Sequence, residues 1–195
     1  MTDVVLAGVG GQGNVLSARI LAETAMRAGY RVKTSEVHGM AQRGGSVICM
    51  VRWGEKVYSP LIPRGRADFL LAFELLEGLR FLEYLRPEGT AVVNDYRLDP
   101  LPVLRGDATY PDEALDLIRE AAGKCLVLRA RDLAVEAGSA RAVGAVMLGA
   151  LSTFLEFPVR AWEHSLRERV PPKALEVNLR AFDLGRRVAE GRSWK

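Results

Sequence analysis

The chain has 195 residues, a hydrophobic fraction of 49% and a charged fraction of 26%, the proportions of a soluble globular protein of one ordinary domain or two small ones. Its formal charge of +3 is too small by itself to argue for a nucleic-acid partner. The longest apolar run, Val143 to Leu155, is about 13 residues, short of the roughly 20 that a membrane-spanning helix needs. With no signal peptide ahead of the first strand, a cytoplasmic location is expected.

The first 130 residues alternate strand and helix signals, which predicts an α/β domain with a mostly parallel, Rossmann-like sheet. Asp3–Ala7 reads as a short buried strand. Asn14 to Ala28 carries Ala18, Leu21, Ala22 and Ala25 at helical spacing, and Gly29 supplies a stop. Tyr30–Glu36 is a second strand. Ser46–Trp53 and Lys56–Ser59 flank Gly54-Glu55, a pattern that predicts a β-hairpin insertion. Asp68–Phe73 follows as a strand, Leu75–Leu85 as a helix, and Ala91–Asn94 and Lys124–Arg129 as the last strands. The prolines between Asp95 and Pro111 mark a surface connection. From Arg131 onward the pattern is helical, and this region is expected to pack on the sheet. Within it, Val143–Leu155 is apolar nearly all round, so it is either a central helix or one covered by a partner. Leu175, Leu179 and Phe182 mark an amphipathic helix after Pro171-Pro172.

The only cysteines, Cys49 and Cys125, lie in strand-like runs and read as buried thiols. Two isolated cysteines cannot hold an iron–sulfur cluster, and no zinc spacing occurs. The basic residues are unevenly spread. Between Arg31 and Arg66 there are seven against two acids, which reads either as a solvated basic face or as an anion-binding one.

Two glycine-rich segments carry chemistry. Gly8, Gly10 and Gly13 match G-x-G-x-x-G between a strand and a helix, where glycines allow a tight turn and free N–H groups can face an anion. The alternative is a close strand–helix turn that binds nothing. A dinucleotide site would need an acidic residue about 20 positions on, and Lys33 stands there; it suits a 2′-phosphate, but nothing else in the sequence supports NADP. The second segment, SEVHGMAQRGGS from Ser35 to Ser46, follows a predicted strand and lacks apolar periodicity. His38 is open to a catalytic role, a ligand role or that of a hydrogen-bonding loop residue; with no Cys, Asp or Ser partner in view, it reads as the last. Arg43 followed by Gly44-Gly45 suits a guanidinium beside exposed backbone N–H groups, an arrangement that favours carboxylate or phosphate. A salt bridge to Glu36 or to a partner subunit is the alternative.

The ordered set GVGGQG (Gly8–Gly13), SEVHGMAQRGGS, VYSPLI (Val57–Ile62), AD-x-LLAFE (Ala67–Glu74) and VVN (Val92–Asn94) resembles the gamma module of 2-oxoacid:ferredoxin oxidoreductases. HGMAQRGGS is most similar to the beta subunit of its indolepyruvate branch. The likeness continues through VMLGAL (Val146–Leu151) and N-x-x-AF-x-x-G (Asn178–Gly185), so residues 1–195 are expected to form a single gamma-type domain. One departure is visible: Gly144 stands where relatives often carry Asn.

The resemblance implies a complex that converts an aryl-pyruvate and CoA, with oxidised ferredoxin, to an arylacetyl-CoA, CO2 and reduced ferredoxin. It implies a partner alpha subunit carrying thiamine diphosphate, Mg and the iron–sulfur clusters, and no activity of this chain alone. The site residues it suggests, for substrate, CoA or the subunit interface, are Gly10, Gly11, Gln12, Gly13, His38, Gln42, Arg43, Gly44, Gly45 and Ser46, with Gln12 at the tip of its loop and Ser59 as a further hydroxyl donor. No metal site, nucleic-acid partner or membrane is expected, and the isolated chain is expected to form a homodimer through its partner-facing surface. Three other readings stay open: a gamma subunit for pyruvate or another 2-oxoacid, a purely structural subunit, and a free-standing nucleotide-binding oxidoreductase.

Overall fold

The computed structural model describes residues 1–39 and 44–191. Among them are the strands β1 (Thr2–Val9), β2 (Arg31–His38), β3 (Ser46–Gly54), β4 (Ala67–Ala72), β5 (Leu85–Asn94) and β6 (Lys124–Leu128). They form one sheet in the order β2-β3-β1-β4-β5-β6. β1, β4, β5 and β6 run parallel, whereas β3 is antiparallel to β1 and to β2. Val4 to Ala7 are completely buried, as expected of a central strand covered on both faces.

The predicted hairpin exists but uses other strands. β3 pairs with β2 through the Ser35–Ser46 segment, and Lys56–Ser59 forms no strand. Both edges of β3 are already taken, by β2 and β1, so no ladder is left for a segment after Gly54. Residues 55–66 instead run as a loop whose Val57 and Ile62 are buried. The buried Arg52 holds it, donating to the carbonyls of Ser59 at 3.2 Å and Leu61 at 2.6 Å while pairing with Asp3 at 2.9 Å.

Helices cover both faces. On one lie α1 (Asn14–Arg27), α5 (Ala130–Glu136), α6 (Val143–Ser152), α7 (Val159–Arg169) and α8 (Pro172–Glu190), whose Leu21, Ala134, Met147, Trp162 and Phe182 share one core with Val4 and Leu6. On the other, α2 (Leu75–Arg80) and α4 (Ala114–Ala121) pack over Val5, Leu70 and Val93. The helix expected over Leu75–Leu85 ends at Arg80; a 3-10 turn follows, and β5 starts at Leu85.

The choice left open for the apolar Val143 segment falls to the central helix. α6 is buried along nearly its whole length beneath α8. Gly149 and Gly185 make that crossing close: a Cβ on either would stand 2.0 Å from a carbonyl oxygen of the facing helix. The connection from Asp95 to Pro111 is largely exposed and holds only the short α3 (Leu101–Leu104). It is pinned by Tyr110, whose hydroxyl donates to the buried Glu74 at 2.6 Å; burial and that carboxylate push the phenol's pKa up. No helix among the described residues is long and apolar enough to cross a membrane.

Candidate functional site

The chain leaves β1 through α1 toward β2 on one flank, and leaves β4 through α2 toward β5 on the other. The carboxyl ends of β1 and β4 therefore form a topological switch point, the place where open α/β sheets leave a crevice for ligands. Both glycine-rich segments lie at this end of the sheet.

In the first loop Gly11 and Gly13 have φ of +97° and +89°, values that only glycine adopts freely. Gly13 is the N-cap of α1, no side chain caps the helix, and no acid sits in its first turn, so the leading N–H groups are not satisfied by capping side chains. Gln12, expected at the tip of its loop, bonds within the loop. Its Oε1 accepts from the Val9 N–H at 2.8 Å, closing the turn from within. Gly8 must be glycine for this closure, because a Cβ there would lie 2.9 Å from Gln12 Oε1 and from Phe73 Cβ.

The second loop is tied to the first. The Gly10 N–H donates to the Gly45 carbonyl at 2.9 Å, and Asn14 Nδ2 to that of Val47 at 3.0 Å. Gly39 N–H donates to the Ser46 carbonyl at 2.8 Å, closing the base of the hairpin. The Ser46 hydroxyl donates to Glu77 rather than standing free. Burial pushes the Glu77 carboxyl's pKa up, against the opposing pull of Ser46 and of Arg80 at 3.3 Å. His38 is exposed, 3.5 Å from Glu36, which also meets Arg19 at 3.7 Å.

Thus Gly10, Gly11, Gly13 and His38 line one cleft of about 670 Å³, with Gly44, Gly45 and Ser46 adjoining through the loop-to-loop bonds. Gln42 and Arg43 lie outside the described residues. Ser59 does not join the site: it sits beside Arg52 and Asp3 at the opposite end of the sheet. Lys33 aligns with Arg52 in the ladder and is likewise far from the glycine turn, which removes the 2′-phosphate role. The basic stretch is not one face either, since Arg52 is buried against Asp3 and Arg64 pairs with Glu83.

A second cleft flanks Gly11 on the switch-point side, between Gln12, Phe73, Tyr96, Arg131 and Arg141. Sequence reasoning missed its two arginines because both lie in an ordinary helical pattern. Asn94, present in the VVN motif but without an assigned role, holds its walls together. Its Nδ2 donates to the Phe73 carbonyl at 3.0 Å and its Oδ1 accepts from the Ala130 N–H at 2.9 Å. Gly144 abuts the rear of the glycine loop, where a Cβ would lie 2.5 Å from Ser17 Oγ; in this chain that space belongs to Ser17.

The two thiols do not fit a cluster. Cys49 is buried on β3, its pKa pushed up to about 12 chiefly by burial, and Cys125 is half-buried on β6. Three strands separate theirs, about 19 Å at ordinary strand spacing. No group of three or more His, Cys, Asp or Glu side chains that could hold a metal ion occurs among the described residues.

An open α/β sheet with a two-loop crevice at its switch point defines the chain as an α/β protein of the doubly wound class. The chain matches the family described as pyruvate ferredoxin/flavodoxin oxidoreductase over residues 3–188, and it belongs to that family. It is 44% identical to the indolepyruvate oxidoreductase subunit IorB of Thermococcus kodakarensis over 96% of both chains, and 44% identical to that of Pyrococcus horikoshii over the same shares. A 2-oxoglutarate synthase subunit KorC of Methanothermobacter marburgensis is 29% identical over 95% of each. Among solved structures, a keto/oxoacid ferredoxin oxidoreductase gamma subunit from Geobacter sulfurreducens superposes with a TM-score of 0.74 at 22% identity, covering 98% of this chain and 100% of that one. The 2-oxoglutarate:ferredoxin oxidoreductase of Magnetococcus marinus, with 2-oxoglutarate, coenzyme A and succinyl-CoA bound, gives 0.76 at 22%, covering 98% of this chain and 31% of that one. These two likenesses bear on the fold.

Proposed function

We propose that this chain is the beta, gamma-type subunit of an indolepyruvate:ferredoxin oxidoreductase, a single domain over residues 1–195 acting in the cytoplasm. The observation that carries the reading is the 44% identity to two indolepyruvate oxidoreductase subunits over 96% of each chain. The complex would take an aryl-pyruvate and CoA to an arylacetyl-CoA and CO2, with two electrons leaving to ferredoxin. Thiamine diphosphate, Mg and the iron–sulfur clusters are assigned to the partner alpha subunit, where they supply decarboxylation and electron transfer. This chain's part is to close the shared site and offer an anion surface. The N–H groups at Gly11, Gly13 and the start of α1 form one side of that surface. The other side is assigned to His38 and to Gln42 and Arg43, which lie outside the described residues.

A second reading has an observation in its favour. The Gly10 N–H and the Gln12 side-chain oxygen Oε1 are both used internally, which suits loops built for shape against a partner rather than for a ligand. Co-expression of the chain with its large partner separates the two. Turnover of indolepyruvate by the complex and by neither chain alone is expected. Arg43→Ala should weaken the dependence on CoA or on the 2-oxoacid; unchanged kinetics for both would leave the structural reading, and no turnover of any 2-oxoacid would refute the assignment.

A further inference from the structure

The connection between β5 and α4 leaves the sheet at the crevice end and carries an apolar surface that the described residues leave open. Leu98, Leu101 and Leu104 are 39%, 62% and 67% exposed, and none of them joins either buried apolar cluster. Leu101 and Leu104, three residues apart, share one side of α3. A helix of four residues has little stability of its own, and this one is braced from outside. The buried Glu74 carboxylate accepts from the Leu98 N–H at 3.0 Å and from the Tyr110 hydroxyl at 2.6 Å, one toward each end of the segment. Arg97 joins the two ends again: it pairs with Asp99 at 2.6 Å and with Asp112 at 2.9 Å, and lies 4.2 Å from the Tyr110 ring centre. The Asp107 N–H closes the turn after α3 onto the Pro102 carbonyl at 2.8 Å. The leucines are thus displayed on a backbone ordered before any contact is made, which lowers the ordering cost of association. Single exposed leucines need no explanation, but three on one braced segment mark an interaction surface.

Position and charge say what covers it. Leu98 and Tyr96 also line the cleft beside Gly11 and Gln12, so a body that closes the crevice meets the leucines in the same contact. A second copy seated there would bury the crevices of both chains against each other. From Asp95 to Glu113 there are five acids and two arginines, in a chain whose formal charge is +3. Arg97 is held by Asp99 and Asp112, whereas Asp107 and Glu113 are exposed and pair with no cation among the described residues. We propose that the Leu98–Leu104 segment is a docking ridge for the large partner subunit, seated in an apolar groove of that subunit whose rim is basic. This role rests on the chain being the subunit read above, and it adds the surface by which that subunit is held.

The test is the affinity of the full chain for the large subunit, read by biolayer interferometry, together with sedimentation of the chain alone. Leu101→Ala and Leu104→Ala should each weaken the complex by about five- to tenfold, the loss expected when most of one leucine no longer enters an interface. The loss should lie mainly in faster dissociation. Leu61→Ala, exposed at the opposite end of the sheet, should change nothing. Asp107→Lys combined with Glu113→Lys should slow association several-fold at low salt and lessen its salt dependence. Thermal midpoints should match the parent, because the replaced side chains are exposed, and they separate lost docking from lost folding. Losses no larger than that of Leu61→Ala, or an unchanged association rate after the charge reversal, overturn the proposal. So does a chain that sediments as a dimer and is dissociated by Leu101→Ala, since the ridge then belongs to a second copy. Turnover of indolepyruvate is read separately. A complex weakened by the leucine variants yet inactive on every 2-oxoacid refutes only the functional reading, and an active complex indifferent to them refutes only the ridge.

Discussion

The α6–α8 crossing makes the sharpest demand on this sequence, and Gly185→Ala tests it. The added Cβ would stand 2.0 Å from the Val146 carbonyl oxygen and 2.8 Å from its carbon, whereas a relaxed C···O contact is about 3.3 Å or more. Because the neighbour is backbone, no rotamer change relieves the overlap, and the helices must part by roughly 1.3 Å. A gap of 0.5–1 Å already forfeits about a quarter to a half of the dispersion well, and here it would open along the fully buried Val146, Ala150, Ala181 and Ala189. Overpacking of this kind costs about 1–3 kcal/mol in side-chain cores. A rigid backbone contact belongs at or above the top of that range, while alanine returns about 1 kcal/mol of helix propensity. The net expectation is a loss of about 2–4 kcal/mol in urea unfolding. Gly149→Ala meets the Phe182 carbonyl at the same 2.0 Å, so it should cost a similar amount. Once the helices have parted for one methyl the second finds room, and the double variant should lose clearly less than the sum. A Gly185→Ala protein within about 0.5 kcal/mol of the parent, the usual spread of an inert substitution, would refute the close-crossing argument.

Three further outcomes follow from polar side chains bonded within the fold. The folded chain holds the Glu77 proton more tightly than the unfolded chain does, so its contribution is fully present at acid pH and declines as pH rises above the ordinary carboxylate range; Glu77→Gln should flatten that limb in denaturation series across pH, and an unaltered slope would count against it. Asn94→Ala strands the Phe73 carbonyl and the Ala130 N–H and should cost about 2–4 kcal/mol. Asn94→Asp keeps the acceptor and should cost less in the same assay. Gln12→Ala should destabilise by about 1 kcal/mol and speed amide exchange at Val9 more than at Leu6; equal rates would show that Gln12 does not close the turn.

Much of the fold is legible along the chain because local patterns decide it. The helical spacing of Ala18, Leu21 and Ala25 places α1, and Gly29 ends it at φ +89°. The alternation of strand and helix signals up to Lys124 foretells the parallel strands. The hairpin was misplaced because Val57 and Ile62 are buried by a loop, and alternation alone cannot tell a strand from a loop folded over an apolar floor. The site was half legible. Glycines announce loops that must bend or approach closely, which holds for Gly8, Gly11 and Gly13. The use of Gln12 and Ser46 was hidden, since hydrogen-bond partners three and 31 residues away leave no local trace.

The sequence by itself determined the family, the two glycine-rich loops and the lack of thiols for a cluster, because each rests on residue type and order. Tertiary structure decided the rest. It joined the loops through Gly10 and Gly45, sent Lys33 and Ser59 to the far end of the sheet, and buried α6 within the chain instead of against a partner. It also brought Arg131 and Arg141 to the mouth of the switch point. Strand order is the physical reason: the divergence of β1 and β4 creates the crevice, and a linear pattern does not encode which strands become neighbours.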